Sequence, residues 1–299
     1  MELAFFIEVL AGGLLAGVMY SLVALGFVLI YKASGVFNFA QGAMVFFAAL
    51  TFVSLVERGM NFWLALLVTL AVMVVLGLAT EKVVLRPLVN QAPITLFMAT
   101  IGLTFVLEGL SQLVWGSQPH GLELGIPDVP LEWLSQKTNI NISQFDLFAS
   151  AVAGTLVAVL AVFFQKTRIG RALRAVADDH QAALAVGIPL KTIWGIVWAV
   201  AGFVALVAGL LWGVRNGVQY ALTFVALKAL PVLILGGFES IAGAIIGGLI
   251  IGASEKLAEV YLGPYVGGGI EGWFAYVIAL VFLLFRPEGL FGEKIIERV

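Results

Sequence analysis

The chain has 299 residues, 62% of them hydrophobic and only 11% charged, with a formal net charge of −2 and no cysteine. A soluble domain is nearer 45–50% apolar and about 25% charged, so a mean hydropathy of +1.08 excludes a globule with a fully wetted surface and requires lipid-facing helices. The missing thiols exclude disulfide frameworks and thiolate metal sites, and the net charge by itself points to no partner.

Met1-Glu2-Leu3-Ala4 lacks the basic start of a signal peptide, so the first apolar run is expected to be a permanent span. Apolar runs broken by polar, Gly or Pro residues predict nine transmembrane helices: Val9–Tyr31, Phe37–Val56, Phe62–Lys82, Ile94–Trp115, Phe145–Phe164, Thr192–Trp212, Leu222–Gly237, Ala242–Leu262 and Gly272–Phe285. The seventh is short and the second opens on polar residues, which leaves eight to ten crossings open. The expected fold is therefore an all-α, polytopic helical bundle, a single membrane domain over 1–299. The runs are too long and too uniformly apolar for barrel strands. With the N-terminus outside, the inner segments hold Lys32, Lys82, Arg86, Lys166, Arg168, Arg171, Arg174, Lys191, Arg286, Lys294 and Arg298, 11 of the 16 basic residues. The positive-inside rule then predicts N-out, C-in.

Polar residues inside spans are the candidates for a pathway or for interhelical bonds. Asn38 and Gln41 open the second span one helical turn apart. That spacing predicts a shared face, with a half-helix N-terminus aimed into the bundle as transporters use it; helix-to-helix hydrogen bonding is the other reading. In the fourth span Glu108 has Gln112 one turn later, which predicts a structural pair or a neutral acid, and Glu108 is the one good intramembrane carboxylate. Lys228, near the outer third of the seventh span, either snorkels or meets a solute. Gly13/Gly17, Gly243/Gly247 and Gly248/Gly252 are small-xxx-small pairs that predict close helix contacts.

Two loops are long. Residues 116–144, outside, carry Pro119, Pro127, Pro130 and Trp133 and predict a small cap; Asn141-Ile-Ser143 fits a glycosylation sequon only by its three letters. Residues 165–191, inside, are rich in Ala, Leu and Arg and predict a helix to about Val186, stopped by Gly187 and Pro189. Arg171, Arg174, Asp178 and Gln181 fall on one face, and Leu173, Val176 and Leu184 on the other. The helix either lies on lipid or docks a cytoplasmic partner. His120 and His180 fall on opposite sides of the membrane, which excludes a two-histidine metal site. Gly267-Gly-Gly-Ile-Glu-Gly272 matches G-x-G-x-x-G but stands in a turn between spans, without the βαβ unit that dinucleotide binding needs. No Walker sequence and no catalytic constellation occur, so no catalytic residue, cofactor, metal ligand or nucleic-acid partner is expected of this chain.

Almost end to end, the chain resembles the permease subunits of branched-chain amino acid ABC importers, and looks most similar to the first of the two paralogous permeases such systems carry. The resemblance rests on Tyr31-Lys-Ala-Ser-Gly-Val-Phe-Asn-Phe-Ala-Gln-Gly42, Glu81 to Arg86-Pro87, and Arg168-Ile-Gly-Arg-Ala-Leu-Arg-Ala-Val-Ala-Asp-Asp179 leading to Gly187. It continues through Leu235-Gly-Gly-Phe-Glu-Ser-Ile-Ala-Gly-Ala-Ile-Ile-Gly-Gly248 and Arg286-Pro-Glu-Gly-Leu-Phe-Gly292. It implies a second permease, two cytoplasmic ATPases that use ATP and Mg, an extracytoplasmic binding protein and a bacterial-type plasma membrane. It also implies that residues 165–191 form the coupling loop, with Arg168, Arg171, Arg174, Asp178, Asp179 and Gly187 at the ATPase, and that Asn38, Gln41 and Lys228 border the solute path. Relatives commonly carry His and Glu where Gln41 and Ala43 stand, Gly at Glu239 and Gln at Glu108. Another small solute (an aromatic acid, urea or an amide) is thus the alternative to a branched-chain amino acid, and a stand-alone transporter or channel is the alternative from a different class.

Overall fold

The structure, a computed structural model, describes residues 2–88, 91–178 and 180–292. Among these residues the fold is helical, and extended pairing is limited to two isolated backbone bridges, His120 with Val218 and Pro130 with Ser143. The helices are α1 (Glu2–Ser34), α2 (Gln41–Glu57), α3 (Phe62–Ala79), α4 (Pro93–Trp115), α5 (Glu132–Thr138), α6 (Gln144–Lys166), α7 (Arg168–Asp178), α8 (His180–Ala185), α9 (Leu190–Asn216), α10 (Val225–Gly236), α11 (Ile241–Tyr261), α12 (Gly263–Val266) and α13 (Phe274–Phe285).

Nine of them are apolar and fall where the nine spans are expected. Six (α1, α3, α4, α6, α9 and α11) are long and apolar enough to cross a membrane. The other three are shorter. Helix α2 begins at Gln41 rather than Phe37, because the Asn38 side chain accepts from the backbone N–H of Ala40 at 3.1 Å and holds the preceding residues in a turn. The seventh segment opens as a 3₁₀ turn, Tyr220–Phe224, before α10 takes over with Pro231 inside it. Helix α3 ends in a widened π-type turn, Thr80–Leu85.

The exposed surface is apolar where a soluble protein's would be polar. Leu113 on α4 and Leu284 and Phe285 on α13 are more than four-fifths exposed, as lipid-facing side chains should be. α1 and α9, by contrast, are largely covered.

The chain divides into two compact units, one of Met1–Leu25, Leu124–Ala158 and Lys228–Val299, the other of Gly26–Glu123 and Val159–Leu227. In the first, α1 and α11 meet through the glycine pairs read from the sequence. A Cβ on Gly17 would lie 2.5 Å from the carbonyl oxygen of Gly248, and one on Gly252 would lie 2.4 Å from that of Gly13. In the second, α9 lies against α3 in the same way, with Gly77 on the Trp198 carbonyl and Gly202 on that of Met73. With no hydrophobic drive between helices in lipid, such backbone approach supplies the packing.

Gly17→Val should therefore destabilise the first unit by about 1–3 kcal/mol through overpacking, whereas Gly12→Ala, with nothing within 4 Å of the added carbon, should be neutral. Thermal unfolding of the two variants in detergent checks this contrast.

Candidate translocation path and its polar residues

The start of α2 lies in the second unit. Thr100 of α4 stitches the non-helical lead: its hydroxyl accepts from Phe39 N–H at 3.1 Å and lies 3.2 Å from the Phe37 carbonyl. Asn38 and Gln41 are both fully buried. They do not share a helical face, since Asn38 precedes the helix, but they touch: Asn38 Nδ2 donates to Gln41 Oε1 at 3.2 Å. The other end of the Gln41 amide, Nε2, is buried without a partner. It has room only because residue 26 is glycine, where a Cβ would stand 2.5 Å away. The helix start has no side-chain cap, so amide donors accumulate here beside a ring cluster of Phe27, Phe37, Phe39 and Phe97.

Glu108 is buried on α4, and its partner differs from the expected one. Gln112 is exposed, while the Tyr220 hydroxyl donates to Glu108 Oε2 at 3.4 Å; the 3₁₀ turn carries that tyrosine to a place that spacing along α4 could not show. In the widened turn after α3, buried Glu81 takes a two-point ion pair from Arg86, at 2.7 and 3.1 Å.

In the first unit Lys228 neither snorkels alone nor stands free. Its ammonium lies 2.8 Å from Glu255 Oε1 and 3.6 Å from Glu271 Oε1. It also donates to the Tyr20 hydroxyl at 3.4 Å, and that hydroxyl donates to Glu255 at 3.3 Å. Lys256 reaches the other oxygen of Glu271 at 3.4 Å. Glu259 accepts from the backbone N–H groups of Gly269 and Glu271, both at 2.9 Å. Glu255 is only 3% exposed, which corrects the expectation that Glu108 is the one good intramembrane carboxylate. A carboxylate well inside the eighth expected span, with a lysine inside the seventh, was the signal for this cluster.

On the inner loop, α7 and α8 cover the helix expected there, and Asp179 lies outside the described residues. Gly187 stops α8 as read: it is left-handed (φ 84°). Its N–H donates to Leu184 O and that of Ile188 to Ala183 O, the pair of hydrogen bonds of a Schellman turn. The faces differ from expectation. Leu173 and Val176 are buried, but Leu184 is 54% exposed and Val186 is 75% exposed. Arg174 donates to the carbonyls of Phe164 and Gln165 at 2.8 and 3.1 Å, and Arg171 to that of Lys166 at 3.2 Å. Both arginines thus close the carbonyl end of α6. Arg168 is exposed.

Comparison with known proteins places this geometry. Residues 9–286 match the family described as the branched-chain amino acid transport system / permease component. The high-affinity branched-chain amino acid transport system permease protein BraD of Pseudomonas aeruginosa is 28% identical over 100% of this chain and 99% of its own length. A probable branched-chain amino acid transport permease protein LivH of Methanocaldococcus jannaschii is 30% identical, over 95% and 92%. The fructose import permease protein FruF of Bifidobacterium longum is 25% identical, over 90% and 75%. The apolar helices, the polar α2 start and a match that runs nearly end to end agree: the chain belongs to the family of branched-chain amino acid transport system permease components.

Proposed function

We propose that the chain is one of two paralogous permeases of an ATP-driven importer for hydrophobic, branched-chain amino acids. It works with two cytoplasmic ATPases and an extracytoplasmic binding protein in a bacterial-type plasma membrane. The observation that carries this reading is the family match over residues 9–286, to relatives named for that transport. The permease crosses the membrane nine times, N-out and C-in; six long and three shorter apolar helices support the number, and the 11 basic residues assigned to inner segments support the orientation. A sugar such as the fructose in the name of FruF, or an amide or urea, is the competing cargo, favoured by the uncharged Gln41 and Ala43 where relatives carry His and Glu.

Solute passes the start of α2, where the Gln41 Nε2 donor without a partner meets its polar end. A single neutral hydrogen bond contributes about 0.5–1.5 kcal/mol, so Gln41→Ala should slow uptake per assembled, ATPase-active complex several-fold. Gln41→Leu should slow it further. Unchanged normalised uptake with lower thermal stability would return the residue to a purely structural role.

The ATPase seats on the inner loop, through exposed Leu184 and Val186 and the charge of exposed Arg168. Arg171 and Arg174 serve this surface by fixing the loop to α6. Leu184→Asp combined with Val186→Asp should release the ATPase during co-purification while the permease still inserts; retained ATPase and full uptake would exclude this surface.

Orientation is read independently by single thiols, since the chain has none of its own. An impermeant thiol reagent added to intact cells should label Ser117→Cys and spare Lys294→Cys, and the reverse pattern would invert the topology.

A further inference from the structure

The charged cluster of the first unit falls within or at the edge of the expected spans. Tyr20 stands at the centre of the expected span Val9–Tyr31, and its hydroxyl meets Glu255, a residue within about one turn of the middle of α11 (Ile241–Tyr261). The two helices that begin at the cluster are short. Lys228 is in the first turn of α10 and Glu271 lies just before α13, and each helix has 12 residues. At 1.5 Å per residue that is about 18 Å, against roughly 30 Å of hydrocarbon. The backbone leading into α13 is non-helical at Gly267, Gly268 and Gly269, all with positive φ. Irregular backbone reaching toward membrane depth is tolerated only inside protein or beside water.

Within this chain, exposure favours the watery surroundings. Glu255 is covered, but the side chains of Lys228, Lys256 and Glu271 are 34%, 35% and 36% exposed. Charges of both signs turned toward acyl chains are costly, so intramembrane charges face a bundle interior or a watery cavity. The four groups also balance, two ammoniums against two carboxylates. A solute carrying an ammonium and a carboxylate on one carbon can replace an internal ion pair without leaving either member of that pair unpaired.

We propose that the face formed by Lys228, Glu255, Glu271 and Lys256 lines a water-filled part of the solute path and is a subsite for a zwitterion. Lys256 takes the solute carboxylate and Glu271 its ammonium, trading the 3.4 Å contact between them for two contacts to the solute. The closer Lys228–Glu255 pair, with Tyr20, forms the floor. Glu259 is a positioning residue, since it holds the backbone of Gly269 and Glu271. The subsite rests on the reading of the chain as an amino acid permease, and it assigns to that reading the two side chains that meet the solute's opposite charges.

The test uses the complete importer in proteoliposomes with leucine-loaded binding protein at saturation. Lys256→Met combined with Glu271→Gln removes both charges together. A part-exposed pair contributes little to stability, so the complex should assemble and hydrolyse ATP. Leucine turnover should nevertheless fall about tenfold, the equivalent of one lost ion-pair contact, so that more ATP is spent per solute. In a second arm, the thiol of Lys256→Cys should react with an impermeant cationic reagent and be protected during turnover with leucine. The thiol of Leu280→Cys, on an exposed apolar position of α13, should stay unreactive. Unchanged turnover in the double variant, or a thiol at 256 as inert as that at 280, overturns the subsite and leaves the amino acid reading standing. A wild-type importer that accumulates an uncharged solute and no amino acid overturns both.

Discussion

A charged or hydrogen-bonding side chain placed among apolar helices in lipid has no water to fall back on, so it must find its partner within the protein. This chain places several such groups in or beside its apolar helices and resolves them in different ways. Glu81 closes on Arg86 within one widened turn, and Glu108 reaches across to Tyr220. Lys228 binds Glu255, Glu271 and Tyr20 together. Each solution fixes a piece of architecture: a π-type turn after α3, a 3₁₀ turn before α10, and a glycine-rich return before α13. The irregular segments of the fold are thus the places where polar groups are satisfied.

Close helix contact makes those solutions reachable. Where glycines let α1 and α11 touch backbone to backbone, side chains one or two turns away fall within hydrogen-bond distance of the opposite helix. Ser21, for example, lies 2.8 Å from its own Gly17 carbonyl and 3.3 Å from that of Ile245. The same close approach lets Tyr20 share Glu255 with Lys228. In the second unit, the absence of a side chain at Gly26 leaves space for the Gln41 amide, which keeps one donor without a partner. Small residues therefore set the packing and also the positions of the buried polar groups.

The inner loop illustrates how one residue type serves two ends. Arginine at 171 and 174 reads as surface charge, yet their guanidinium groups are spent on the last carbonyls of α6, which a helix C-terminus otherwise leaves unsatisfied. The outward surface falls instead to Leu184 and Val186, beyond the stretch where α7 buries Leu173 and Val176. The loop is thereby held to the end of α6 by side chains as well as by the chain itself.

By itself the sequence determined the class of the protein and most of its helices. Segments of some twenty apolar residues admit no other structure in lipid, and the ordered motifs from Tyr31 to Gly292 carry the family. The stop at Gly187 and the glycine pairs able to take close contacts were legible for the same reason, since each depends on local backbone chemistry; that α1 meets α11 through them was not. Only the tertiary structure decided which polar groups meet. That Glu108 pairs with Tyr220 rather than Gln112, that Lys228 belongs to a cluster with Glu255 and Glu271, and that Leu184 is exposed while Arg174 turns inward all join residues far apart in sequence or depend on helix rotation. Periodicity defines a face; what lies against that face is set by how helices pack, which no single segment encodes.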